Sequence, residues 1–92
     1  MRIIGEIPHQ RYKITVFKME HRLTLKFEAG MYEQAYRFSL SEEISGFEDV
    51  KNMLDEAFFE TVEARFKAMR EDTESLFRRR YPEAVEWEEE II

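Results

Sequence analysis

Apolar and polar positions alternate from Tyr12 to Tyr36, then recur at intervals of three or four residues from Ser45 to Arg80. Alternation with period two is the mark of a half-buried strand, and the longer period is that of a helix. Arg11 to Met19 and Arg22 to Ala29 pair as a hairpin if Glu20-His21 is the loop. Val16 then faces Leu25, Ile14 faces Phe27 and Tyr12 faces Ala29, all on one side. The other side sets Lys13 against Glu28 and Thr15 against Lys26. A slip of one residue would scramble both faces, so this agreement argues for the register. A four-residue loop with the same register is equally acceptable, because Glu-His is not a favoured turn dipeptide.

A second hairpin is predicted to turn at Ala29-Gly30, where glycine tolerates positive φ. That places Phe27 opposite Tyr32, Leu25 opposite Gln34, Leu23 opposite Tyr36, and Lys26 opposite Glu33. Ile3 to Ile7 suggests a further short strand, interrupted by Gly5 and closed by Pro8, which suits an edge or an end. A meander with one apolar face is not stable until something covers that face.

The cover is predicted to be one long helix from Ser45 to Arg80. Ser45 and Glu48 have the spacing of a capping box, worth on the order of 1 kcal/mol. Acids open the helix and Arg78, Arg79 and Arg80 close it, as the helix dipole favours. Val50, Leu54, Ala57/Phe58, Val62, Phe66, Met69, Thr73 and Leu76/Phe77 form its stripe, and Pro82 ends it. A break at Asp72-Thr73 is the alternative. The fold class is therefore α+β, a three- or four-stranded antiparallel meander packed on one face by a long C-terminal helix. Residues 1–82 form one domain and residues 83–92 an acidic tail.

Length makes the helix informative. About 35 residues at roughly 1.5 Å each span about 50 Å, whereas strands of about eight residues span roughly 27 Å. The far end, around Met69 to Arg80, should overhang the sheet, exposing Phe66, Met69, Leu76, Phe77 and Tyr81. Either the helix folds back at 71–73 or a partner covers it. The expected partner is a second copy of the chain, with Phe66, Met69, Thr73, Leu76 and Phe77 as the interface.

Composition narrows the alternatives. The chain of 92 residues is 43% hydrophobic, enough for a single folded core. It has no cysteine, which excludes disulfides and thiolate chemistry. No apolar run approaches a membrane span or the core of a signal peptide, so a cytoplasmic location is expected. The net charge of −6 is a property of the tail, which holds Glu83, Glu86, Glu88, Glu89 and Glu90. Without these five, 15 acids face 14 bases, and a nearly neutral body attracts nucleic acid weakly.

Candidate chemistry is sparse. His9 and His21 are the only histidines, and neither sits in a metal-ligand or general-base spacing. No serine lies in a nucleophile motif, and Gly5, Gly30 and Gly46 are too scattered for a phosphate loop. Glu42-Glu43 and Glu71-Asp72 fit a solvated surface better than acid–base work. No catalytic residue, metal, cofactor or small-molecule ligand is expected. Two features remain. Arg78, Arg79 and Arg80, with Tyr12, Tyr32, Tyr36 and Phe38 on the sheet, could combine charge and stacking for a single strand of nucleic acid. That reading ranks second, because the register turns Tyr32 and Tyr36 toward the core. The tail carries Trp87 and ends in Ile91-Ile92, so it is a candidate docking segment for another protein or for the chain's own arginines.

The segment Ile4 to His9 (Ile-Gly-Glu-Ile-Pro-His), with Lys13 to Phe17 (Lys-Ile-Thr-Val-Phe), Lys26-Phe27-Glu28 and Tyr32-Glu33-Gln34, resembles a group of small uncharacterised bacterial proteins. The resemblance covers residues 1–70 and fades in the C-terminal third. It implies a bacterial, soluble, stand-alone protein and transfers no functional residues, since that group has no assigned activity.

Overall fold

Alternation from Lys13 to Ser39 does produce a meander. In the computed structural model, which describes residues 1–82, the strands are β1 (Arg2–Ile7), β2 (Lys13–Met19), β3 (Arg22–Ala29) and β4 (Tyr32–Ser39). They form one antiparallel sheet in the order β1-β2-β3-β4. The short N-terminal strand is real and occupies an edge. The tail positions Trp87, Ile91 and Ile92 lie outside the described residues.

The first hairpin has the expected register, with Val16 opposite Leu25, Ile14 opposite Phe27 and Lys13 opposite Glu28. Its two-residue loop holds Glu20 at φ 48°, a left-handed conformation that costs a side chain-bearing residue on the order of 1 kcal/mol. The second hairpin corrects the expected register by two residues. Ala29 pairs with Tyr32, Phe27 with Gln34, Leu25 with Tyr36 and Lys26 with Ala35. The loop is Gly30-Met31, with Gly30 at φ 61°. Placing glycine first in the loop, rather than second, accounts for the shift. A two-residue slip keeps every side chain on its expected face, so the face assignment survives the wrong partners.

One face carries the buried Ile7, Ile14, Val16, Leu23, Leu25 and Phe27, flanked by half-buried Tyr32, Tyr36 and Phe38. On the opposite face Lys26 bonds Glu28 at 2.8 Å and lies over the Phe17 ring. That hydrogen-bonded pair raises the Lys26 pKa and lowers that of Glu28, each holding the other charged.

The single long helix is corrected to two. α1 (Phe47–Met53) ends at Leu54, whose ψ of 131° is extended, and α2 (Glu56–Arg80) begins behind Asp55. The Asp55 carboxylate accepts the Phe58 N–H at 2.9 Å, a cap strong enough to restart a helix. The break was hidden because Val50, Leu54 and Phe58 keep helical spacing across it. The start is also shifted: Gly46 is the N-cap and Asp49, not Glu48, closes the cap. Asp49 accepts from the Ser45 N–H and hydroxyl and from the Gly46 N–H, which together hold its pKa below the usual carboxylate range. No break occurs at Asp72-Thr73.

The two helices cover different parts of the sheet. In α1, Val50 is fully buried and Phe47 lies against the backbone of Gly5. A β-carbon at Gly5 would run into the Phe47 ring. Gly5→Ala should therefore displace α1 and cost about 1–3 kcal/mol, the usual range for overpacking. A urea midpoint equal to that of the wild type would show that Phe47 has another place to go.

α2 covers β2 to β4. Phe58 and Phe59 lie 5.8 and 6.2 Å from the Phe27 ring, and Phe66 lies 5.3 Å from Tyr12. Phe58 also meets Tyr36, whereas Val62 meets Gln34 through a 2.9 Å hydrogen bond from Nε2 to the Val62 carbonyl. The helix thus runs antiparallel to β4 and leaves the sheet at its Gly30 end. Its 25 residues span about 37 Å. The molecule is correspondingly long, 53 × 25 × 17 Å, with a radius of gyration of 16.6 Å. A compact chain of this size would have a radius of about 12 Å.

Candidate interaction surface

The stripe that α2 lays on the sheet continues beyond it without rotating. At about 100° per residue, Phe58, Phe59, Val62 and Phe66 fall within the same sector as Met69, Thr73, Leu76 and Phe77. Physically the stripe has two parts. Val62 and Phe66 are sealed in the core, Phe66 at 1% exposure, and Met69 is half-buried against it. Met69 is the last described hydrophobic residue of α2 packed against that core. Leu76 is 60% exposed and Tyr81 50%.

This corrects one member of the expected interface. Phe66 belongs to the chain's own core, which leaves Met69, Thr73, Leu76 and Phe77 at or beyond its margin. Phe77 is half-buried, with its ring 5.0 Å from that of Tyr81. The Thr73 hydroxyl donates to the Met69 carbonyl at 3.1 Å, within its own helix. Tyr81 caps the end, its N–H donating to the Phe77 carbonyl at 2.7 Å.

The arginines at the helix end point to local partners. Arg79 donates to the Ser75 hydroxyl at 2.8 Å, and Arg80 lies 5.6 Å from the Tyr81 ring centroid. Tyr12 is buried, and Tyr32, Tyr36 and Phe38 lie on the helix-covered side. The sheet aromatics are thus turned to the helix-covered side, as expected from the sequence.

The two histidines have different surroundings. His9 is stacked between Tyr12 at 4.8 Å and Phe59 at 5.0 Å, and its Nδ1 accepts the Arg11 N–H. His21 sits exposed at a hairpin loop, where its carbonyl accepts from Leu40. Among the described residues no group of three His, Asp or Glu could hold a metal, and no helix is long and apolar enough to cross a membrane.

A second surface adjoins the first and escaped the sequence reading. β4 is an edge strand of eight residues with neither a bulge nor a proline. The other edge, β1, has six residues, an irregularity at Ile4 and Pro8 just beyond. Bulges and prolines protect an edge from pairing, so β4 is the less protected of the two. Along it runs an open groove of about 450 Å³, floored by Gln34, Ala35 and Tyr36 and walled by Arg65, Ala68, Met69 and Asp72 of α2. The available signal was topological. The last strand of a meander must be an edge, and this one has neither a bulge nor a proline.

Comparison with family models, with curated proteins and with solved structures finds no match to this chain.

Proposed function

We propose that this chain is a non-enzymatic interaction or assembly module that forms a homodimer through the projecting end of α2. One observation carries this reading. The apolar stripe that builds the core continues past the sheet, onto a helix end where Leu76 stands 60% exposed. A large apolar side chain standing exposed on a stripe continuous with the core is best explained by a second surface.

Light scattering over a wide concentration range tests it. The wild type should weigh twice the 11.2 kDa of the chain. Leu76→Glu should weaken the dimer by about 100-fold, because an unpaired carboxylate would enter an apolar contact. The monomer fold should be unaffected, since exposed positions rarely shift stability by more than about 0.5 kcal/mol. Equal masses for the two proteins at every concentration would refute the reading.

A further inference from the structure

We infer that β4 is a self-pairing edge, and that two copies join their sheets antiparallel about a two-fold axis at Ala35. The inference rests on the homodimer reading and specifies where the copies meet and in what register.

Three observations converge. First, backbone groups of β4 face outward at alternate residues. Ala29 and Tyr32 close a two-residue loop, so Tyr32 and the even positions after it bond toward β3. Glu33, Ala35 and Arg37 therefore direct their N–H and C=O groups at the free edge. No described strand pairs with them.

Second, the register is selected by charge. Keeping α2 of both copies on one side of the joined sheet requires odd positions to meet odd positions. With Ala35 opposite itself, Glu33 meets Arg37 of the second copy, and the symmetry repeats the pair. On the helix side Tyr32 meets Phe38 and Gln34 meets Tyr36. Shifting by two residues in either direction sets Ala35 against a charged residue and loses both ion pairs. Arg37 has no ion-pair partner in its own chain among the described residues. Glu33 has only a long contact, 3.9 Å to Lys26.

Third, the same two-fold directs the projecting helices. α2 runs antiparallel to β4 and leaves the sheet past Tyr32. In the paired sheet that end lies beside the end of the second copy's β4, where half-buried Leu40 and Ile44 follow. Strand pairing and the helix contact are then parts of one interface. Pairing adds about six backbone hydrogen bonds, two for each of three residue pairs.

Charge exchange tests the register. Glu33→Arg and Arg37→Glu should each raise the dimer dissociation constant by about tenfold, since each turns two attractive pairs into two repulsive ones. The double variant should return to within about threefold of the wild type. Both side chains are exposed, and circular dichroism should match the wild type in all three. Ala35→Cys supplies a second readout. Hydrogen-bonded cross-strand Cα atoms lie about 5.5 Å apart, within disulfide range. The chain has no other cysteine, so a reducible covalent dimer reports this contact. Failure of both the rescue and the cross-link, in a protein whose dimer is still broken by Leu76→Glu, would overturn the edge and leave the helix reading standing. Rescue with a silent Leu76→Glu would support the edge and refute the helix. A wild type that is monomeric at every concentration overturns both.

Discussion

Replacing Phe27 by alanine is expected to remove about 3–5 kcal/mol of stability, the range seen when a buried aromatic is truncated. The ring is fully buried in the C-terminal half of β3. It meets Tyr12 at 6.3 Å, Tyr36 at 6.1 Å, Phe58 at 5.8 Å and Phe59 at 6.2 Å. Three of these contacts are edge-on, the arrangement that brings a positive ring edge to a negative face. Phe27 is therefore where β2, β4 and α2 meet. A small domain is stable by about 5–15 kcal/mol in total, so the loss could approach the whole. Urea unfolding should show a large drop in midpoint with the slope unchanged. A loss below about 1.5 kcal/mol would mean that the four neighbouring rings close over the gap.

The contrast between the two hairpins explains what the sequence could and could not specify. In β2 and β3 both faces discriminate: apolar meets apolar, Lys13 meets Glu28, and only one register satisfies both. In β3 and β4 the even positions of β4 are nearly all aromatic. Phe27 can therefore face Tyr32 or Gln34 with little difference in patterning, and the loop geometry decides. The division of the helix was hidden for a related reason. Leu54 sits at helical spacing between Val50 and Phe58, so the stripe reads straight through the cap at Asp55. Faces were legible because they depend on periodicity. Loop conformations and helix joints were not, because they depend on single backbone angles.

The candidate surface divides in the same way. That the helix outruns the sheet followed from counting residues, and Leu76 and Phe77 follow from the stripe. Where the core ends did not follow, because it depends on how far down α2 the sheet reaches. Tyr12 lies at the end of the sheet where α2 departs, and its ring extends the covered zone as far as Phe66. The β4 edge required topology. Glu33 and Arg37 are unremarkable surface charges until the strand carrying them is known to be last, with its odd positions bonding outward.

Phe66 and Leu76 occupy one stripe ten residues apart, yet alanine should affect them oppositely. Phe66→Ala is expected to cost about 3–5 kcal/mol, because the ring is buried against Tyr12 within the single chain. Leu76→Ala should cost the monomer no more than about 0.5 kcal/mol, because no described core residue touches it. In the dimer the order reverses for association: Leu76→Ala should weaken it, whereas Phe66→Ala acts only through folding. Thermal unfolding at low and high protein concentration separates the two effects, since a residue buried by self-association matters more as concentration rises. Phe66→Ala should lower the midpoint equally at both. Leu76→Ala should lower it only at the higher concentration. If Leu76→Ala instead destabilised the protein equally at both, the helix end would be packing on its own chain, the projecting stripe would need no second copy to complete it, and the two-fold at Ala35 would rest on the charge exchange and the cross-link alone.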